Sequence, residues 1–109
     1  MSSDRSVYLN IKQLCGHKTV SREDGKVLYK ELIGALKEGL EITLDFDNVL
    51  VASVSFMDEA FGRLALRYSL DRLKRDLHIE NIQEFDRALL NDIIISRSRQ
   101  RRIKSGKAA

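Results

Sequence analysis

The feature that most constrains the fold is the alternation of strand-type and helix-type segments along the chain. Residues 7–11 and 41–46 place apolar side chains at every second position, which predicts two strands, and residues 77–82 offer a third. Helix-type spacing follows over residues 22–38, over residues 56–75, and from about residue 81 or 84 onward. Because a helix separates each strand from the next, the sequence predicts an α/β fold of β-α-β-α-β-α order. Its helices should cover a small sheet mainly on one face.

Local signals support the two earlier helices better than the last one. Ser21 and Asp24 have the spacing of a capping box, and Gly39 is a typical left-handed stop at a helix end. The last helix would place Phe85, Leu89 and Ile93 on its inner face. Residues 93–95 are β-branched, so a strand is an alternative there.

The charge is unevenly distributed between the body of the chain and its C-terminal segment. The chain has 19 basic and 16 acidic residues, for a formal net charge of +3. Residues 97–109 contain no acid and six of the basic residues, namely Arg97, Arg99, Arg101, Arg102, Lys104 and Lys107. Residues 1–96 therefore carry a net charge of −3, which argues against a body that cradles a phosphate backbone. We predict one domain over residues 1–96 and a basic tail over residues 97–109 that is frayed helix or disordered.

Several classes of protein are disfavoured by composition. A single cysteine, Cys15, cannot form an internal disulfide, which fits a reducing compartment. No apolar run approaches the ~18–20 residues that a membrane helix requires, and the N-terminus lacks the layout of a signal peptide. The sequence thus predicts a cytoplasmic protein without a membrane partner.

Residues for catalysis or metal binding are sparse. His17 and His78 are the two histidines, and with one cysteine they do not make a tetrahedral metal set. Neither a glycine-rich phosphate loop nor a nucleophile elbow is present in the sequence. Cys15 and His17 could form a nucleophilic pair, but a small buried thiol beside a surface imidazole is the favoured interpretation because no third group orients the histidine. We expect no enzymatic activity, no metal and no cofactor.

The most informative stretch runs from the end of the second predicted strand into the second predicted helix. Asp45 ends that strand, and Ser55 precedes the helix, where its hydroxyl would accept from free backbone amides as an N-cap. A serine at such a position can also present a phosphate to a partner.

Over residues 20–82 the chain resembles the sulphate-transporter and anti-sigma-factor-antagonist (STAS) domains. It is more similar still to a STAS-like family of small bacterial proteins of unknown function. The segments SRED-G-KVL, LDFDNV and SFMDEAFGRL carry the resemblance. Asp45 and Val49 match the first motif of the antagonists, and Ser55 falls where those proteins carry the phosphorylated serine. In the second motif of the antagonists, which reads Asp-Ser-Ser-Gly, Ser53 replaces the aspartate, Val54 the first serine and Phe56 the glycine.

The resemblance implies an interaction domain that docks on a histidine-kinase-like ATPase or anti-sigma-type kinase, with a serine phospho-switch in the antagonists. Asp58 and Glu59 follow Ser55 in the same helical turn, where they would repel a phosphate, so the N-cap role of Ser55 is favoured. The predicted partner-binding residues are Asp45, Asn48, Ser53, Ser55 and Asp58.

The basic tail supports a second hypothesis, in which the protein binds nucleic acid. The candidate contacts are Arg97, Arg99, Arg101, Arg102 and Lys104. No aromatic residues are interleaved with them, so base stacking is not supported. The other interpretation is a solvated helical extension.

Overall fold

The computed structural model describes residues 5–104, with side chains described as far as residue 102. Its elements in chain order are β1 (Ser6–Asn10), α1 (Ile11–Cys15), β2 (Thr19–Val20), α2 (Arg22–Lys37), β3 (Glu41–Asp45), β4 (Val51–Ala52), α3 (Val54–Met57), a π-helical segment (Asp58–Gly62), α4 (Arg63–Arg67), α5 (Leu70–Asp76), β5 (Leu77–Glu80) and α6 (Glu84–Lys104). The predicted mixed α/β class is confirmed. Among the described residues, no helix combines the length and apolar character needed to cross a membrane.

The main sheet is parallel, in the order β1-β3-β5, with β3 at its centre. Its apolar face includes Ile42 and Leu44, which are fully buried against the helices. The register places Tyr8, Thr43 and His78 side by side on the opposite face, where Tyr8 and His78 are exposed. A second, two-stranded parallel sheet of β2 and β4 was not expected from the sequence. Each of its strands has two residues, which is too short for a recognisable alternation.

The first predicted strand ends one residue early. Ile11 is the first residue of α1 and is fully buried. Asn10 caps this helix, because its side-chain oxygen accepts from the backbone N–H of Gln13 at 2.9 Å. Gly16 ends the helix with a φ of 85°. Alternation alone predicted a strand through Ile11, because this buried residue follows Leu9 by two positions, as the next inward-facing residue of a strand would.

The predicted helix over residues 56–75 is two helices joined at an extended residue. The first begins at Val54 and ends at Arg67, and Tyr68 then has extended angles of φ −122° and ψ 149°. Ser69 caps α5, since its hydroxyl accepts from the N–H of Arg72 at 3.2 Å. The apolar periodicity continues across this break, so it did not reveal it. A serine side chain that binds the backbone offers the chain an alternative to a continuous helix.

The predicted first helix and its ends are confirmed. It is α2, and the N–H of Ser21 donates to the carboxylate of Asp24 at 2.9 Å in the predicted capping box. Gly39 follows it with a φ of 75°, as expected for a left-handed stop. The helix contributes Leu28, Leu32 and Leu36 to the core, all fully buried.

The last helix, α6, is longer than its apolar pattern indicated. Residues 93–95 are helical, so the alternative strand is wrong. Phe85 is 78% exposed, which contradicts its placement on the inner face; among the side chains of this helix that the structure describes, Leu90 is the buried one. Residues 97–104 of the predicted tail continue α6, and the remainder, 105–109 with Lys107, lies outside the described residues.

Candidate functional site

The site is built on the loop between β3 and α3 and on the helical turns that follow it. Asn48 turns the chain with a φ of 65°, and the N–H of Val49 donates to the carbonyl of Phe46 at 3.0 Å. The carbonyl of Lys18 accepts from the N–H of Leu50 at 2.9 Å, which ties the loop to the segment before β2. The loop therefore has a defined shape that is set by its own backbone bonds.

Asp45 is buried at the carboxyl end of β3 and is fully engaged within the chain. Its carboxylate accepts from the Tyr8 hydroxyl, from the Asn81 side-chain amide at 2.8 Å and from the Asp47 N–H at 2.9 Å. These bonds, that of Tyr8 first, hold the pKa of Asp45 below its usual value. Asp45 thus links the end of β3 to Tyr8 of β1 and to Asn81 after β5, and it supports the loop from inside.

Ser53 caps α3, whereas the sequence assigned that role to Ser55. The Ser53 hydroxyl accepts from the N–H of Phe56 at 3.0 Å. Ser55 lies inside the first turn, because α3 begins at Val54, two residues earlier than predicted. The N-cap interpretation of Ser55 is therefore wrong.

The Ser55 hydroxyl instead faces a cleft between α2, α3 and α6. The cleft has a volume of about 370 Å³, and its lining includes Arg22, Ser55, Asp58 and Arg97. The Arg22 guanidinium donates to Ser55 Oγ at 3.3 Å. Arg22 and Ser55 are 33 residues apart in the chain, so local sequence patterns contain no signal of this contact.

Both acids of the Ser55 turn already have guanidinium partners. Arg97 donates twice to Asp58, at 2.8 Å from each of two nitrogens, and Asp58 in turn raises the pKa of Arg97. Glu59 accepts from Arg22 and from Arg63, each at 2.9 Å. Three guanidinium groups thus surround two carboxylates. The sequence predicted that these acids would repel a phosphate on Ser55, but it did not show that arginines neutralise both of them.

Gly62 makes room for the pair of Asp58 and Arg97. A Cβ atom at Gly62 would lie 2.3 Å from Asp58 Oδ1 and 3.3 Å from Arg97 Cγ. Gly62 ends the π-helical segment, and such segments are frequent at functional sites. The segment, the glycine and α6 therefore form one packed unit beside the cleft.

An exposed apolar patch, which consists of Leu50, Val51 and Val54, adjoins this unit. These side chains are 62%, 52% and 60% exposed. Val54 also lines the cleft, so the patch and the cleft share one border. The sequence showed an apolar run at 49–52 but not its exposure, since a short apolar run is equally compatible with a core strand.

The predicted nucleic-acid residues do not share one face of α6. Arg97 and Arg101, four residues apart, are half-buried, and Arg97 is bound to Asp58. Arg99 and Arg102 lie on another face and are exposed. Lys104 is the last residue of the helix, and its side chain lies outside the described part.

Cys15 and His17 do not form a reactive pair. Burial, with a smaller effect of the Asp24 charge, raises the pKa of the Cys15 thiol to about 11, whereas a nucleophilic cysteine requires a lowered pKa. His17 contacts Asp24, with 2.8 Å between Nε2 and Oδ2. Within residues 5–104, His, Cys, Asp and Glu form no group of three or more that could hold a metal.

Comparison with known proteins identifies one family. A family model described as "STAS-like domain of unknown function (DUF4325)" matches residues 24–87, more than half of the chain. The match includes the loop after β3, α3 and the π-helical segment, but neither Arg22 nor Arg97 of the cleft. No curated protein and no solved structure matched the chain.

Proposed function

The chain belongs to the family of STAS-like domains of unknown function, and on that premise we propose that it is a non-enzymatic regulatory module that docks on a protein partner. The apolar patch of Leu50, Val51 and Val54 is the observation that carries this proposal. Exposed aliphatic side chains that are contiguous and bordered by polar groups are typical of protein interaction sites. Asn48, Ser55 and the Ser55 cleft supply the polar border.

The partner is a histidine-kinase-like ATPase, as the resemblance to the STAS antagonists implies. Docking of the partner buries the apolar patch, and the charged side chains of the cleft lie at the border of that contact. Asp45 and Ser53 contribute indirectly, since Asp45 supports the loop and Ser53 caps α3. Among the predicted partner-binding residues, Asn48, Ser55 and Asp58 lie where a docked partner reaches them.

Phosphorylation of Ser55 regulates docking in this proposal. The phosphate adds about two negative charges, and Arg22, 3.3 Å from the serine hydroxyl, is positioned to pair with it. Arg22 would then be drawn away from Glu59, leaving that acid with Arg63 alone. Arg22, Arg63 and Arg97 balance Asp58, Glu59 and Asp92 around the cleft, so the phosphate makes a neutral border of the apolar patch negative. This weakens docking of a surface matched to the unmodified protein.

The proposal is tested by calorimetric titration. The titrant is the purified histidine-kinase-like ATPase whose gene lies nearest to the gene of this protein. Val54→Glu places a charge in the patch, and we expect it to weaken binding at least tenfold, which is about 1.4 kcal/mol. Val27→Glu is the matched control, because Val27 is a 45% exposed valine on α2, outside the patch. It should change the affinity less than twofold.

The same titration tests the phospho-switch, and a separate retention assay tests the nucleic-acid alternative. Ser55→Asp should weaken binding like Val54→Glu, whereas Ser55→Ala should retain it. Absence of binding to the ATPase, or equal losses for the two valine variants, contradicts the proposal. Retention of RNA or duplex DNA at ~150 mM salt that is lost with Arg99→Gln and Arg102→Gln would establish the nucleic-acid function instead.

A further inference from the structure

A second concave surface lies between α5, β5 and α6, and it shares no lining residue with the Ser55 cleft. Seven of its ten lining residues are leucine or isoleucine, and none is acidic or aromatic. Its volume is about 370 Å³, near the lower end of the roughly 300–1,000 Å³ typical of small-molecule sites. We call it the aliphatic groove.

Two cations line the aliphatic groove, one from each of its two helices. Lys74 comes from α5 and Arg87 from the first turn of α6. The Arg87 guanidinium donates to the backbone carbonyl of Ile79 at 3.2 Å, which holds it at the β5 side of the groove. Its other N–H groups are available to a ligand there, since a guanidinium has five donors. Asn91 is the remaining polar residue of the lining.

We propose that the aliphatic groove binds a single-chain fatty acid, with the carboxylate on Arg87 and Lys74 and the acyl chain along the leucine and isoleucine side chains. The lining is unsuited to a planar or sugar-containing ligand, because it has no aromatic ring and one uncharged polar side chain. A cationic ligand would meet two positive charges and no negative one. An anion with a flexible aliphatic chain matches both properties of the lining.

The proposal is independent of the partner-docking proposal. The apolar patch of Leu50, Val51 and Val54 lies at β4 and the start of α3 and contributes no residue to this groove. Failure of one proposal therefore leaves the other unaffected.

Calorimetric titration of the full chain with dodecanoate, below its micelle concentration, is the test. We expect one molecule to bind per chain, and acetate, which has the same headgroup without the chain, not to bind. Arg87→Gln should weaken dodecanoate binding about tenfold, in line with a charge-assisted hydrogen bond. Arg67→Gln is the matched control, since Arg67 is an exposed arginine of α4 that does not line the groove.

A second pair of variants tests the position of the acyl chain. Ile95 lines the groove and is 41% exposed, so Ile95→Glu is tolerated by the fold and should abolish dodecanoate binding. Leu66→Glu, at a 38% exposed leucine of α4, should leave it unchanged. Dodecyltrimethylammonium that binds as tightly as dodecanoate would overturn the proposal, because it would show apolar adsorption without headgroup recognition. No binding of dodecanoate, or equal effects of the paired variants, would overturn it as well.

Discussion

Two serines that are two positions apart in the chain use their hydroxyls differently. Ser53 satisfies a backbone amide at the start of α3, whereas Ser55 contacts the Arg22 side chain on the surface. The first bond completes a helix terminus, and the second joins an exposed arginine to a half-buried serine that faces the cleft. Ser53 therefore has a structural role, and Ser55 is available for a regulatory one.

Replacement of each serine by alanine separates these roles. We expect Ser53→Ala to lower the free energy of unfolding by about 1 kcal/mol, the usual loss for an N-cap. Ser55→Ala should lower it by less than about 0.5 kcal/mol, as is usual for a surface substitution. Urea unfolding followed by circular dichroism measures both. A larger loss for Ser55→Ala would contradict the assignment of the cap.

Among the elements, the π-helical segment depends most on a particular residue. Its last residue, Gly62, lies where α6 crosses, with the ion pair of Asp58 and Arg97 filling the space that a side chain would occupy. Glycine costs about 1 kcal/mol relative to alanine within a helix. The ion pair and the close approach of α6 require that space, so the element contains a residue of low helix propensity.

Substitution of glycines in two helical elements tests this explanation. Gly62→Ala must displace Asp58 from Arg97, and we expect it to lower the free energy of unfolding by about 1–3 kcal/mol. Gly34→Ala in α2, where an added Cβ meets no atom within 4 Å, should raise it by about 0.5–1 kcal/mol. Thermal and urea unfolding of both variants provide the measurement. Stabilisation by both substitutions would show that Gly62 is not needed for the ion pair.

At the scale of the whole molecule, three aspartates are buried and hydrogen-bonded; the bonds of Asp45 join distant segments, whereas those of Asp24 and Asp76 are made to neighbours in the chain. Asp76 has its pKa lowered by Arg75 first and then by Arg72, and Asp45 by Tyr8, Asn81 and the Asp47 N–H. Burial on its own would raise the pKa of Asp24, but hydrogen bonds from His17 and Ser21 lower it overall. All three groups bind protons less readily in the folded than in the unfolded chain.

The pH dependence of stability follows from the direction of these shifts. A carboxyl whose folded pKa lies below its unfolded value, about 3.9 for aspartate, stabilises the fold above that value and loses this contribution as pH falls through the folded pKa. We therefore expect the melting temperature to be nearly constant from pH 7 to about pH 5 and to fall steeply below about pH 4. Scanning calorimetry between pH 3 and 7 measures this, and Asp45→Asn should reduce the slope below pH 4. A melting temperature that rises on acidification would contradict the assigned directions.

Particular residues show how far the sequence could predict the site. Asp45 was correctly placed at the carboxyl end of a strand, because the alternation of residues 41–46 is a local signal. Ser55 was misassigned as the cap, since serines at 53 and 55 both fit a helix start and only the backbone shows which hydroxyl meets a free amide. The contacts of Arg22 with Ser55 and of Arg97 with Asp58 span 33 and 39 residues, beyond the range of any periodicity.

The sequence by itself determined the α/β class, the limits of α2, the family resemblance and the surplus of basic residues near the C-terminus. Each of these depends on composition or on the order of residues within a short segment. Short segments form helices and strands according to the backbone preferences of their own residues. Tertiary structure alone decided which arginines neutralise the acids after Ser55, which aliphatic residues stay exposed, and where the aliphatic groove lies. Those outcomes depend on how the parallel sheet brings α2, α3, α5 and α6 together, because side chains far apart in the chain become neighbours only when the core is packed.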